Sequence, residues 1–271
     1  MFRIERRDNA ATRTFKLMEL VFHATVRNIR KGQSSGGIAL FMNVLQTLIF
    51  IGAFALLLIV VKPTAIRGDF ILYIMTGVFL FMTHVKAMGA VVGSEGPASP
   101  MMKHAPMNTA IAIAAAALSS LYLQTLSMII VLCGVHVAWH PIEISEPGGA
   151  AMMFLLAWFT GVAIGTVLLA IKPWAPNFVQ IANTIYSRLN MVASGKMFVA
   201  NTLPTAVLPF FDWNPLFHAI DQARGYTFIN YNPHFTTWTY PVICGLALLT
   251  VGMMGEFYTR RHTSLSWFAA R

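Results

Sequence analysis

Charged side chains are scarce in this sequence. Only 10 of the 271 residues are Asp or Glu and 19 are Lys or Arg, so charged residues make up 11% of the chain. Soluble globular domains contain roughly 25%. Hydrophobic residues reach 56% and the mean hydropathy is +0.63. Most of the surface of such a chain is expected to lie in lipid, so the net charge of +9 indicates a membrane surface and not a nucleic acid.

Cysteine and catalytic motifs are also sparse. Cys133 and Cys244 lie in apolar runs without a partner at metal-ligand spacing, which excludes a disulfide framework or zinc site; we interpret them as small core residues. The only Gly-Lys pair, at Gly195, is followed by Met197 where a P-loop needs Ser or Thr. We therefore expect neither a metal nor a bound cofactor, and no ATP hydrolysis by this chain.

Long apolar runs dominate the remainder. About 20 apolar residues suffice to cross some 30 Å of hydrocarbon as a helix. Six segments are predicted to do so: residues 37–61, 70–91, 109–135, 148–171, 177–194 and 235–255. Lys86 lies near one end of the second segment and can reach the interface. Arg188 interrupts the fifth, where it would cost about 2.5 to 3.5 kcal/mol in lipid, so we expect it to face the bundle interior or water.

The positions of Lys and Arg orient these helices. The first 35 residues hold eight of them and no apolar run of signal-peptide length. With the N-terminus in the cytoplasm, fourteen Lys or Arg fall on the cytoplasmic side and three on the other. The sequence therefore predicts one polytopic all-α membrane domain, residues 1–271, with both termini in the cytoplasm.

Residues 1–35 precede the first span and mix basic and apolar side chains. The part from Ala11 to Gly32 is too charged to cross a membrane and too apolar to be a free tail. We predict an amphipathic helix at the membrane interface, with Arg27 and Arg30 on its polar side. An ordinary cytoplasmic helix packed on the rest of the protein is the alternative.

Residues 196–232 fit neither a span nor a solvated loop. Pro204, Pro209 and Pro215 prevent one continuous helix, while the segment is too apolar and aromatic for a loop. Two short helices that fold back into the membrane from outside satisfy both properties, because broken backbone is tolerated where protein or a water-filled path surrounds it. Asp212 is expected to cap the second of them, with Pro215 in its first turn.

The polar residues of this segment allow two interpretations. His218, Asp221 and Arg224 are spaced three apart and so lie on one helix face. They either hold the segment in place or, together with Lys196, line a hydrated substrate path. A catalytic triad is not expected, because no nucleophile accompanies them at a suitable spacing.

Aromatic residues cluster in the same region. Phe210, Phe211 and Trp213 precede the second short helix, and flat aromatic faces suit the apolar faces of sugar rings. We predict that these three face a sugar substrate. Trp238 and Tyr240 fit an ordinary interfacial belt.

Several motifs coincide with one known arrangement. Arg188 precedes Ser194-Gly195 by six residues, Pro204 follows Asn-Thr-Leu, and NPLFHAIDQARG ends at Gly225. The stretch SPMMKHAPMNTAIAIAAAALSS, residues 99–120, is a further match. Together they resemble the permease subunits of type-2 ABC exporters, in the branch that exports capsular polysaccharide in Gram-negative bacteria. Asp221 stands where that family more often has glutamate, and Asn108 with Ala110 replaces an aspartate followed by Ala-Arg.

The resemblance implies a function. It implies a homodimer of six-helix permeases in the bacterial inner membrane, each contacting a separate ATPase subunit that binds ATP and Mg²⁺. The substrate would be a lipid-linked, acidic polysaccharide passing Arg188, with a periplasmic co-polymerase or adaptor as a further partner. The loop with Met101, Met102, Lys103 and His104 would receive the ATPase, and residues 196–232 would form the outer gate.

Other functions remain open. A permease of the same broad family could export O-antigen, a lipid or a small molecule. An intramembrane enzyme would use His218, Asp221 or His84, but paired acids and HExxH-like spacing are missing from the spans. A passive scaffold in a membrane complex is the third alternative.

Overall fold

The computed structural model describes residues 10–30, 35–61, 69–96, 108–139 and 141–262, and this part of the chain is helical without strands. Its helices are α1 (Ala10–Arg30), α2 (Gly36–Val61), α3 (Phe70–Val92), α4 (Thr109–Ala138), α5 (Pro147–Ile171), α6 (Pro176–Ala193), α7 (Pro209–Asp212), α8 (Pro215–Thr227) and α9 (Thr239–His262); a 3₁₀ turn covers Ala200–Thr202.

Five of the described helices are long and apolar enough to cross a membrane, namely α2, α3, α4, α5 and α9. The fifth predicted span, 177–194, corresponds to α6, which does not meet that standard. Its 18 residues rise only about 27 Å, and they include Asn177, Gln180, Asn183, Arg188 and Asn190. The last span also differs from the prediction, since α9 begins at Thr239 and continues to His262 instead of covering 235–255.

Local sequence signals explain where these helices begin. The Asp69 carboxylate accepts hydrogen bonds from the backbone N–H groups of Ile71 and Leu72, and so caps α3. Asn108 caps α4 through the N–H of Ala110. α5, α6 and α8 each carry a proline in the first turn, where its missing N–H leaves no bond unmade.

α3 and α5 form the centre of the bundle. In the most apolar stretch of α3, 78% of the residues are buried, whereas the corresponding share is 17% in α2 and α4 and 22% in α9. Gly161 and Gly165 of α5 let the two helices approach closely, because a Cβ there would lie 2.3 Å from the His84 carbonyl oxygen and 2.9 Å from that of Met88. Small residues at such contacts are typical of membrane helix pairs. α8 and α9 pack on α5, and α1 packs mainly on α4.

The N-terminal helix forms over the predicted residues. Ala24 of α1 is buried, while Phe15, Met18 and Phe22 are each at least 64% exposed. Arg27 and Arg30 are exposed as well. One face of α1 thus packs on the protein, and another presents apolar side chains outward.

The interpretation of the two cysteines as core residues is wrong for one of them. Cys133 is exposed on α4, whereas Cys244 on α9 is partly buried. An apolar run of a membrane protein has lipid-facing positions as well as core positions, and composition alone does not separate them.

Candidate functional site between α6 and α9

The chain turns sharply where α6 ends. Gly195 has φ +71°, and a Cβ there would lie 2.5 Å from the Phe217 ring. Glycine satisfies both the left-handed backbone and the close contact. This turn directs Lys196 toward α2 and α3.

Lys196 shows how far the segment reaches along those helices. Its Nζ lies 3.3 Å from the ring centroid of Phe81, 4.4 Å from that of Phe54 and 5.8 Å from that of Phe50. Phe54 precedes the end of α2 by seven residues and Phe81 follows the start of α3 by eleven. At about 1.5 Å per residue, Lys196 therefore lies roughly 10 to 17 Å, measured along the helix axes, from the C-terminal end of α2 and the N-terminal end of α3.

The environment of Lys196 is unusual for a cation. The residue is 3% exposed, and its Nζ has no hydrogen-bond partner within the described chain. The apolar surroundings penalise the ammonium form of this side chain. The three ring faces attract an ammonium group and partly oppose that effect.

Arg224 holds the returning segment by its main chain. Its side chain is fully buried, and it donates to the carbonyl oxygens of Gly195 (2.8 Å), Lys196 (2.6 Å) and Phe198 (2.6 Å). The guanidinium also lies 4.2 Å from the centroid of the Tyr73 ring on α3. These contacts tie α8, the turn after α6 and α3 together.

Asp221, one turn earlier on α8, holds the next part of the segment. Its Oδ1 accepts from the Ala200 N–H at 3.1 Å and from the Tyr231 hydroxyl at 2.5 Å, and its Oδ2 accepts from Thr236 Oγ1 at 2.8 Å. Burial and the neighbouring Asp221 carboxylate raise the pKa of Tyr231, so its hydroxyl stays protonated as the donor. The carboxylate is 1% exposed.

His218 completes the polar face and is 4% exposed. Its Nδ1 accepts from the Thr237 N–H at 3.1 Å, which leaves Nε2 to donate to the Asp212 carbonyl oxygen at 2.7 Å. The expected capping by Asp212 is wrong, because the Asn214 side chain accepts from the Leu216 N–H and caps α8. Asn214 immediately precedes Pro215 and so occupies the capping position.

The geometry favours the first of the two interpretations of this face. His218, Asp221 and Arg224 are buried, and their polar atoms bond the segment that precedes or follows α8. The hydrated substrate path stays a prediction. Their arrangement stabilises residues 195–237 as a unit.

The aromatic residues divide into two groups. Phe211 packs on Phe198, with ring centroids 5.0 Å apart, and on Phe217 at 5.9 Å. Phe210 and Trp213 are 72% and 62% exposed. Of the three residues predicted to face a sugar, only Phe210 and Trp213 are mostly exposed.

Arg188 lies on the exposed face of α6. Within one chain it therefore lies outside the bundle interior, and the expectation that it faces the interior or water stays a prediction. No hydrogen bond or ion pair of Arg188 exists within the described residues. Its neighbours on the same face are apolar and each more than half exposed: Phe178, Ile181, Ile185, Leu189 and Val192.

Two further contacts fix α6 and were not expected from the sequence. His84 of α3 is fully buried, with Nε2 3.0 Å from the Tyr186 hydroxyl and Nδ1 3.0 Å from the Ala157 carbonyl oxygen. Asn214 Nδ2 donates to Asn190 Oδ1 at 2.9 Å. The sequence shows only that each of these polar residues lies within an apolar run. It does not show the hydrogen-bond partner, which lies more than 20 residues away along the chain in each case.

The remaining predicted site residues, Met101, Met102, Lys103 and His104, lie outside the described residues. Among those described, no group of three His, Cys, Asp or Glu could hold a metal ion.

Comparison with known proteins gives no matching family model and no matching curated protein. The resemblance to exporter permeases therefore stays a prediction.

Proposed function

We propose that this chain is the membrane subunit of an exporter that acts as a homodimer, with its substrate path bordered by the exposed face of α6. The observation that carries the proposal is Arg188, an exposed guanidinium that has no partner among the described residues and lies in a row of exposed apolar side chains. Facing lipid would cost it about 2.5 to 3.5 kcal/mol. A wet passage beside a second copy removes that cost.

The packing of α6 supports a second copy as its neighbour. α6 contacts α3 and α5 through few residues, far fewer than the contacts that join α5 to α3 or α9. Only Val179 and Asn190 of its 18 residues are buried. In this proposal α6 is the fifth of six crossings, and both termini are cytoplasmic.

The outer gate in this proposal is the segment from Lys196 to Asn232. Its polar residues hold the segment in place, as described above, and Phe210 and Trp213 are the side chains free to contact a passing polymer. Aromatic faces contact sugar rings without one fixed hydrogen-bond pattern. A lipid-linked, acidic capsular polysaccharide is the substrate we propose, since Arg188 suits an anionic or phosphate-bearing end.

Energy comes from a separate ATPase subunit in this scheme, through the loop with Met101 and Lys103. Replacing both by Asp is expected to abolish association with the ATPase while membrane insertion stays intact. Co-purification of the ATPase with the double variant at the wild-type level would contradict this role.

A bacterial inner-membrane location and a periplasmic adaptor belong to the same proposal, and export of O-antigen, a lipid or a small molecule is its alternative.

Cross-linking tests the dimer. With Cys133 and Cys244 replaced by Ser, a single Leu189→Cys on α6 is expected to form a disulfide-linked dimer in membranes, because Leu189 is 59% exposed beside Arg188. Ile130→Cys on α4, with 45% exposure, is the matched control and should stay monomeric. Equal cross-linking of the two variants would refute a dimer formed through α6.

Export measurements test the path. Arg188→Lys preserves the charge but not the bidentate geometry of guanidinium, and Arg188→Gln removes the charge. If Arg188 contacts the phosphate, export should fall in both variants, with the lipid-linked glycan accumulating inside cells. Wild-type export by Arg188→Gln, at equal protein in the membrane, would exclude substrate contact by this residue.

A further inference from the structure

Two adjoining cavities lie beside the first third of α2, on the side of the bundle away from α8. One is an apolar groove of about 970 Å³ between α1, α2 and α4, and the other is a smaller cavity of about 340 Å³ that α3 also borders. Both volumes fall in the range of about 300 to 1,000 Å³ typical of small-molecule sites. Ile29 of α1 borders both cavities, so one elongated ligand can occupy the two together.

The smaller cavity is polar and basic. Lys86, Gln46 and Asn28 border it, and so do Ser119 and Ser120 of α4. Lys86 Nζ donates to Gln46 Oε1. No Asp or Glu is among the described residues around this cavity, so within them the lysine has no carboxylate to neutralise it. An anionic ligand group would neutralise this lysine.

The polar wall is held rigidly. Asn43 Nδ2 donates to Ser127 Oγ at 2.7 Å, and Gln124 Nε2 donates to Asn43 Oδ1 at 3.0 Å. These residues are at most 5% exposed, so the network joins α2 to α4 in a fixed geometry. Such support fixes the spacing of α2 and α4 beside the cavity without the ligand.

The larger groove has the opposite character. Phe22, Leu40, Leu118 and Tyr122 provide apolar walls, and Arg30 stands at its border. The exposed side of α1 continues this apolar surface, with Phe22 and Met18 each 64% exposed. A hydrocarbon chain suits these walls, since apolar burial stabilises it there as in the bilayer.

We propose that the two cavities bind one membrane phospholipid with an anionic headgroup. Its phosphate lies against Lys86, and one acyl chain lies in the groove between α1, α2 and α4. Since α2 begins at the end that the charge distribution predicts to be cytoplasmic, the lipid comes from the cytoplasmic leaflet. This lipid fastens α1 to the bundle, and the inference does not depend on the exporter proposal.

Native mass spectrometry of the full chain in a delipidating detergent tests the inference. The probes are dioleoyl phosphatidylglycerol, dioleoyl phosphatidylcholine, dioleoylglycerol and inorganic phosphate. We expect phosphatidylglycerol to bind at about one molecule per chain, more tightly than the other three probes. Charge-assisted hydrogen bonds to its phosphate add to acyl burial, and it lacks the choline cation that offsets the phosphate charge in phosphatidylcholine. Equal affinity for phosphatidylcholine, or equally tight binding of phosphate alone, would overturn the proposed lipid site.

Two variants locate the bound lipid. Lys86→Gln should weaken phosphatidylglycerol about tenfold or more while leaving dioleoylglycerol unchanged. Gly37→Leu fills the groove, since a Cβ there meets only Ser35 Oγ at 3.9 Å, and it should weaken every lipid probe. Arg261→Gln, a matched loss of an exposed positive charge on α9, should change nothing. Wild-type lipid binding by both Lys86→Gln and Gly37→Leu would show that these cavities are not the site.

Discussion

Arg224 provides the sharpest test of how the segment after α6 is held. It is fully buried and donates to three main-chain carbonyl oxygens. Arg224→Met keeps much of the apolar volume but leaves these three acceptors unpaired. Arg224→Lys keeps the charge, yet one ammonium group cannot reproduce the planar fork of the guanidinium.

The size of the effect follows from the contacts. Each buried polar atom that loses its partner costs about 1 to 3 kcal/mol, and removal of one partner from a buried charged network costs about 3 to 5 kcal/mol. We therefore expect Arg224→Met to destabilise the segment by about 3 to 5 kcal/mol, which shifts its opening equilibrium by a factor of about 10² to 10⁴. Arg224→Lys should cost about half as much.

Hydrogen exchange of the full chain in lipid nanodiscs measures this opening directly. The amide of Ala200 donates to Asp221 Oδ1, and the amides of Thr202 and Leu203 close the 3₁₀ turn. In Arg224→Met these amides should exchange faster by the stated factor. The amides of the central helices α3 and α5 should keep their protection, because the loss is local.

Arg261→Met serves as the control, since Arg261 is exposed on α9 and its loss should leave every amide unchanged. Unchanged exchange of Ala200 in Arg224→Met would refute the role of the guanidinium. Equal acceleration in α3 and α5 would show instead that Arg224 stabilises the whole bundle.

Two further predictions concern neighbouring contacts. Gly161→Leu should lower the thermal stability of the purified protein strongly, because even a Cβ would lie 2.3 Å from the His84 carbonyl oxygen; an unchanged melting temperature would refute the close approach of α3 and α5. Lys196→Met should raise the thermal stability of the purified protein, because it removes a buried ammonium group whose Nζ has no hydrogen-bond partner within the described chain. A lower melting temperature of the variant would show instead that the contacts of Lys196 with the phenylalanine rings outweigh this cost.

The helical framework could be predicted from the sequence in part: five of the six predicted spans correspond to helices long and apolar enough to cross a membrane. The predicted span 148–171 differs by one residue from α5, and 70–91 by one residue from α3. Where proline, aspartate or asparagine bounds a long apolar run, the end of the helix can be predicted to within a few residues, because these residues favour helix ends. The end of α9 was less predictable, since Arg260 and Arg261 continue the helix beyond its apolar part.

The site could be predicted in part only. The sequence indicated that Lys196, His218, Asp221 and Arg224 belong to one unusual segment, because their charge contrasts with the apolar runs around them. It could not show which of them are buried. Their partners are main-chain atoms near Gly195 and Ala200 and side chains such as Thr236, and these contacts depend on how the turns fold back.

The contrast between α6 and α8 carries the remaining argument. Both contain an arginine, but Arg224 is surrounded by carbonyl acceptors and Arg188 by none within the described chain. A periodic apolar row is the sequence signal of a buried face, and α6 has such a row, yet it is exposed. α6 thus presents outward both its apolar row and a cation that has no partner among the described residues. The proposed second copy and polar passage on that side would explain this combination, because lipid alone suits the apolar row but not the guanidinium.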